Sequence, residues 1–395
     1  MAIVINGSGT VTGLAVGGLP DGTVDAGTLA TNSVDSAELV DGAVDDSHMA
    51  SIKGRKNLII NGAMRVAQRA TSSAGLGDGG GYFTLDRYRF SSSTSGRLTQ
   101  SQASVTDLPA FANAMKLDCT TADTSIGASE ECSLEYRLEG QDLQQLKKGT
   151  SSAEKVTVSF YMKTNKAFTF MCELDDTDNN RVNTQQFTTS TSWTRHTLTF
   201  VGDTTGTLDD DNARSMRLNI WIHAGSNFTG GTYSANTWQS RQSSDNMRAV
   251  GISSFYDDTA NEIQFTGLQM EVGDTATDFE HRSYGEELAL CSRYYQQPII
   301  DGFCAPGWRA GTNWIYFFIP YVVPMRTQPT VTETGTFSCH GEGNDGTFTA
   351  ISPNKHSQVG LLAIATNTTF NLGGGYPAVI EVNSAGPQIY LDSEL

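Results

Sequence analysis

The stretch Gln264–Gln297, QFTGLQMEVGDTATDFEHRSYGEELALCSRYYQQ, decides how the rest of the chain is read. It begins as a strand carrying Phe265, Leu268 and Met270, with Ile263 just ahead, and turns at Gly273-Asp274. Ser283 then stands three residues before Glu286, the spacing at which a serine hydroxyl and a carboxylate box the start of a helix. The following GEELALCSRYYQQ is rich in helix formers, sets Leu288, Cys291 and Tyr295 along one face, and is stopped by Pro298. One large β region therefore closes here, a linking helix within 283–297 crosses over, and a smaller β region begins.

Upstream of this joint, residues 57–282 carry strand candidates at about 97–104, 114–119, 130–138, 155–163, 167–174, 195–201, 216–223 and 261–270. KVTVSFYMK alternates Val156, Val158, Phe160 and Met162 with polar neighbours, and MRLNIWIH does the same with Met216, Leu218, Ile220 and Ile222. Period-two alternation marks half-buried strands, and this many of them favour a jelly-roll β-sandwich. Downstream, residues 298–395 hold six short apolar segments, enough for a small C-terminal β-sandwich. Within it, Asn313–Phe318 place large side chains on both faces of one strand, as expected where a second subunit covers the outer face.

The N-terminal part is different. Residues 1–20 contain five glycines and suggest one or two short strands in need of a partner. Residues 21–50 repeat every ten: Val24, Val34 and Val44 align, and Leu29, Leu39 and Met49 follow each by five. Thirty residues with so few apolar side chains bury no core alone, and composition by itself would allow an acidic linker. The strict period points instead to identical chains wound about a common axis, a homotrimeric stalk over 21–56 with its Val and Leu rows inside. The basic group Lys53, Arg55 and Lys56 then marks a hinge.

Totals narrow the classes of function. The chain has 395 residues, room for two or three domains, and is 38% hydrophobic and 17% charged with 40 glycines, a profile of all-β structure with many turns. A formal net charge of −17 repels phosphate backbones and anionic lipid, so no nucleic-acid partner is expected. The longest apolar run, Trp314–Met325, is cut by Pro320 and Pro324, and no basic leader opens the chain. Membrane insertion is not expected, and synthesis and assembly in a cytoplasm are. Six cysteines without C-x-x-C spacing suggest reduced, buried thiols, and no cofactor or metal is indicated.

Several of these segments resemble the carbohydrate-binding-module-like domain of tail-fibre proteins of tailed bacteriophages. That domain opens with NLIINGAM, a QR dipeptide and a later TLDR, here Asn57–Met64, Gln68-Arg69 and Thr84–Arg87. It closes with a strand like GLQ-EVG, then AT-FE-RSYGEEL and C-RYY. Here these are Gly267–Gln269, Glu271–Gly273, Ala276-Thr277, Phe279-Glu280, Arg282–Leu288, Cys291 and Arg293–Tyr295. The resemblance covers most of the chain up to Gln297 and is loose beyond it. It implies a jelly roll in a virion protein, anchored through residues 1–20 to other tail or virion proteins. It also implies a trimeric stalk and host attachment through surface polysaccharide. A head fibre or decoration protein with the same parts, or a polysaccharide depolymerase, are the alternatives.

Enzymatic activity is not expected. Glycosidases need two carboxylates placed across the scissile bond, and abundant acids without a scaffold carry no such information. No G-x-S-x-G elbow is present, and the six histidines lie outside motif-like settings; His281 is expected to pack or cap. DDTDNN spaces Asp176, Asp178 and Asn180 like a calcium loop but lacks its glycine and closing glutamate, so a solvated hairpin tip is expected. Sugar binding asks for aromatic faces among polar groups. The loop HAGSNFTGGTYSANTWQSRQSSDN offers Phe228, Tyr233, Trp238 and Arg241, although Trp238 would serve equally as a cap on the sandwich core. Trp193 is expected in the core. GFCAPGWRAGTNW carries Trp308 and Trp314 around a glycine-rich turn, with Trp308 the exposed one.

Overall fold

Strand alternation builds nearly the whole chain, and the architecture is all-β. The computed structural model describes residues 4–5, 11–12, 55–241, 247–298, 304–311, 313–341, 344–366, 375–382 and 388–395. Residues 1–54 and 55–395 are two separate units. In the first, β1 (Val4–Ile5) and β2 (Val11–Thr12) pair antiparallel, as the glycine-rich opening suggests. The decad-repeat positions Val24, Leu29, Val34, Leu39, Val44 and Met49 lie outside the described residues.

The second unit begins with a curled twelve-stranded antiparallel sheet. Its strands are β3 (Ser72–Asp78), β4 (Gly81–Tyr82), β5 (Tyr88–Ser104), β6 (Asn113–Thr121), β7 (Glu131–Glu139), β8 (Val156–Thr164), β9 (Thr169–Asp176), β10 (Arg181–Thr188), β11 (Thr194–Phe200), β12 (Arg214–Ala224), β13 (Gln239–Ser240) and β14 (Glu262–Val272). The order is β11-β8-β14-β6-β5-β7-β12-β9-β10-β13, with β3 and β4 also on β5. All eight strand candidates form, seven of them within two residues of their expected ends, while the one at 97–104 is only the second half of β5, which begins at Tyr88. Val158, Phe160, Met162 and Phe265 from one half meet Leu134, Leu218, Ile220 and Cys172 from the other in one core, which makes the curled sheet a sandwich.

β5 is the corner. Its first part, Tyr88–Ser93, pairs with β7, while Arg97–Ser104 pairs with β6 after a register shift at Arg97/Leu98. A strand that changes partners this way carries the chain from one layer to the other. Gly96 sits at the bend because the buried Tyr256 ring presses on it: a Cβ there would lie 2.5 Å from Tyr256 Cδ1.

After β14, Ser283 caps α2 (Tyr284–Ser292), its hydroxyl accepting from Glu286 N, as the capping box predicts; α1 is the single turn Ser226–Thr229. The helix is shorter than the 283–297 segment, because Tyr295-Gln296 leaves it as β15 and pairs with the C-terminal strand. Nine further strands follow: β16 (Cys304–Arg309), β17 (Trp314–Pro320), β18 (Thr330–Thr334), β19 (Phe337–Gly341), β20 (Asn344–Phe348), β21 (Ile351–His356), β22 (Gly360–Thr366), β23 (Pro377–Glu381) and β24 (Gln388–Asp392). They make a seven-stranded sheet, β20-β19-β23-β16-β17-β22-β21, and a three-stranded one, β15-β24-β18. Ile389 and Leu391 of the small sheet join Ile315, Phe317, Ile319, Leu361 and Ile380 of the large one in a second core.

The joint itself is densely paired. Arg87 is buried, lies 3.4 Å from the Tyr294 ring centroid, and pairs with Glu394. Arg69 stacks 3.7 Å over Tyr295 and reaches Asp392 at 3.0 Å. Asn57 Oδ1 accepts from Ile59 N and Met270 N, Glu280 accepts from Lys56 N and Asn57 N, and Glu287 accepts from Asn61 N. The residues that carry the tail-fibre resemblance thus meet one another, and their contacts are architectural. Among the described residues no helix is long and apolar enough to cross a membrane.

Candidate functional site

Two faces of the second unit carry unusual side chains, and they differ in whether anything covers them. On the outer side of β7, β12 and β9, charges replace the expected solvent-facing polar residues. The pairing brings Arg89, Glu135, Asn219 and Glu173 into one row, with Arg137, Arg217 and Asp175 in the next. Glu135 accepts from Arg89 at 2.6 Å and Arg137 at 2.8 Å. Burial opposes its ionisation, but Arg137, Arg217 and Arg89 outweigh that and pull its pKa down to about 2. Glu173 takes two hydrogen bonds from Arg248 at 2.7 Å, which hold it ionised against burial. Asp175 moves the other way, raised by burial and by the neighbouring Glu173.

Of the residues singled out for glycan contact in the loop after β12, Phe228, Tyr233 and Arg241 have partners on this side of the sheet, and Trp238 turns to the main core. Phe228 packs 5.3 Å from Trp221, the tryptophan that is buried to 2% exposure. Tyr233 Oη accepts from Gln186 N, and Arg241 bridges Asp175 and Asn180. Trp238 packs against the main core, donates Nε1–H to Val201 O at 2.7 Å, and has Lys148 Nζ 5.4 Å from its ring. Of the two roles open to Trp238, the geometry displays the cap.

Two expectations are corrected. Trp193 is half-buried at the start of β11 with Nε1–H on Asp107, because its strand lies at the end of the sheet order; the deeply buried tryptophan is Trp221. Asp176 is fully buried, held by Lys148 and by the amides of Asp178 and Asn179. DDTDNN forms the expected β9–β10 hairpin, though its first two acids, Asp175 and Asp176, are buried. His281 packs between Phe111 and Phe279, as expected. Cys119, Cys132, Cys172, Cys291 and Cys339 are free and buried thiols.

The uncovered face is the outer side of the seven-stranded sheet. Along β17, Ile315, Phe317 and Ile319 point into the core, while Trp314 and Phe318 are 52% and 50% exposed. Within a single chain the inner face of this strand is covered by the core, and its outer face is the one a second subunit would cover. Trp308 on β16 is 48% exposed, pairs with Tyr316, and stacks on it at 5.2 Å with the rings 15° from parallel. It sits within a strand rather than in the glycine-rich turn. Pro306, Val379, Leu362 and Ile364 continue the apolar surface across neighbouring strands. At one flank His340 lies 3.0 Å from both Asp345 and Glu381. The result is a flat aromatic platform on rigid strands with a polar edge, a form suited to stacking against the C–H face of a sugar ring while edge groups bond its hydroxyls. Trp308 was legible as an exposed ring; Trp314 and Phe318 were not separable from core residues by pattern alone.

No family model matches the chain, and no curated protein matches it. Among solved structures, it is similar to the enzymatically active domain of tailspike protein 4 of bacteriophage CBA120, with 8% identity over 55% of this chain and 21% of that one, TM-score 0.29. It therefore spans about a fifth of the tailspike chain. It is also similar to TmCBM61 in complex with β-1,4-galactotriose, with 9% identity over 55% of this chain and 99% of that one, TM-score 0.28. A third is the family 11 carbohydrate-binding module of the cellulosomal cellulase Lic26A-Cel5E of Clostridium thermocellum, with 14% identity over 53% of this chain and 98% of that one, TM-score 0.26. At these identities and scores nothing about ligand or activity carries over to this chain.

Proposed function

We propose that this chain is a non-catalytic structural protein of a tailed-phage tail fibre that attaches to host surface polysaccharide. The observation that carries the glycan-binding part is the exposed platform of Trp308, Tyr316, Trp314 and Phe318 on β16 and β17. Soluble chains rarely leave several large aromatics together on an open sheet face unless the face binds something. The tail-fibre part is supported by the motifs at Asn57–Met64, Thr84–Arg87 and Gly267–Tyr295 and by the decad repeat. In this reading the chain is a homotrimer in the virion, held to other tail proteins through its N-terminal residues. Three copies turn weak single contacts into useful avidity.

The test is competition for host adsorption. Purified wild-type protein should block adsorption of the parent phage, and the folded double variant Trp308→Ala/Trp314→Ala should block at least about tenfold less well, since each aromatic contact contributes on the order of 1 kcal/mol. Unchanged blocking by the double variant would remove the platform from recognition. Loss of blocking together with dissociation of the oligomer would make the platform a contact between copies instead.

A further inference from the structure

Away from the aromatic platform, three ligand-type side chains converge at one end of the large sandwich. Asp123 leaves the end of β6, Glu130 enters β7, and His223 is the penultimate residue of β12. Their donor atoms lie within 4.8 Å of one another. His223 Nε2 is 4.0 Å from Asp123 Oδ2 and 3.8 Å from Glu130 Oε2. The His223 side chain is 0% exposed, and its Nε2 has no hydrogen-bond partner although it is aimed between two carboxylates. A buried polar atom left this way asks for an explanation.

The surroundings hold the three donors in place. Asp123 accepts from Thr94 Oγ1 and Ser125 N, and Glu130 accepts from Ser95 N and Gly127 N. The connecting loop is strapped by Asp123 N to Tyr256 O and by Gly225 N to Glu130 O, both at 2.7 Å. On the other side of the ring, His223 Nδ1 lies 2.8 Å from Ser254 Oγ, which already accepts from Tyr256 N. With Nδ1–H donated to that hydroxyl, Nε2 carries a bare lone pair facing two carboxylates, and a cation is the natural occupant between them.

We propose that Asp123, Glu130 and His223 form a binding site for a divalent transition-metal ion, zinc by the chemistry of the donors. One imidazole nitrogen and two carboxylate oxygens suit zinc better than the all-oxygen shells of calcium and magnesium. Donors at these separations share a centre roughly 2.5 Å from each, so a contraction of a few tenths of an ångström reaches zinc bonds of about 2.0–2.2 Å. Ser254 serves as the outer partner that fixes the ring. Glu130, 21% exposed, leaves the solvent side for a water as fourth ligand. The ion would tie the β6–β7 connection to the end of β12.

The test uses untagged full-length protein, stripped with chelator and titrated with zinc chloride, with bound metal counted by mass spectrometry. One zinc per chain is expected, with a rise in unfolding temperature. Glu130→Gln and Ser254→Ala should each weaken binding by about tenfold or more, and His223→Gln, checked for native circular dichroism, should abolish it. Glu130→Gln changes a partly exposed side chain, so its result stands even if His223→Gln fails to fold. The proposal is overturned if the wild type takes up no zinc at roughly hundredfold excess. Binding by Glu130→Gln and Ser254→Ala as tight as wild type, or ready displacement of zinc by equimolar calcium, overturns it equally.

Discussion

Arg87 shows how much depends on single buried charges in this chain. Its guanidinium is enclosed by the rings of Tyr294 and Tyr136, donates to Arg137 O, and pairs with Glu394, the penultimate residue. Removing the carboxylate leaves a buried cation without its counter-charge, a change that costs about 3–5 kcal/mol. Glu394→Ala should therefore lower the midpoint of urea unfolding far more than a terminal substitution ordinarily does, and a midpoint within experimental error of wild type would contradict the pairing. Glu135 gives a second prediction, with a sign. Its pKa in the fold, about 2, lies below the ordinary glutamate value of 4.5. Its contribution is thus complete above pH ~4.5 and is lost as pH falls through about 2, on the order of 3 kcal/mol in all. Glu135→Gln should be less stable than wild type at neutral pH and converge with it near pH 2. A difference that stays constant over this range would refute the assignment.

At the scale of elements, alternation made most of the large sandwich legible, because strands with one apolar and one polar face announce themselves. The segments that escaped are those whose polar residues are buried. β10, RVNTQQFT, hides Asn183 and Thr184 and offers too few apolar positions to suggest a central strand. The first half of β5, YRFSSSTSG, resembles a loop by its serines, yet alternate residues are buried and Ser92 donates to Gly77 O. The metal-type cluster was illegible for another reason: Asp123, Glu130 and His223 are brought together by the sheet order, which no local spacing encodes. Two glycines test the strand geometry. Gly96 faces Tyr256 at the corner of β5, and Gly267 adopts φ +66° beside Phe111 and Tyr161, where the β8–β14 register shifts. Alanine at either position should destabilise by about 1–3 kcal/mol through overpacking, with added backbone strain at Gly267. Thermal unfolding is the measurement, and an unchanged melting temperature in both variants would show that these close approaches do not exist.

At the scale of the molecule, the described residues of 55–395 hold two large hydrophobic cores and a small third cluster around Trp221, the two large ones joined where the C-terminal residues return to the large sandwich. The charged face of that sandwich is closed by its own loop, while the aromatic face of the smaller one is open. In the function proposed above, this contrast is the reason for assigning recognition to β16 and β17. The most direct measurement is a binding isotherm of the purified protein with bacterial surface polysaccharides, read by tryptophan fluorescence. Oligomeric state should be checked by sedimentation in the same samples. The account predicts saturable binding with a change in tryptophan emission, lost in Trp308→Ala/Trp314→Ala while the sedimentation coefficient stays that of wild type. Equal affinity for the polysaccharide in the folded double variant would contradict it.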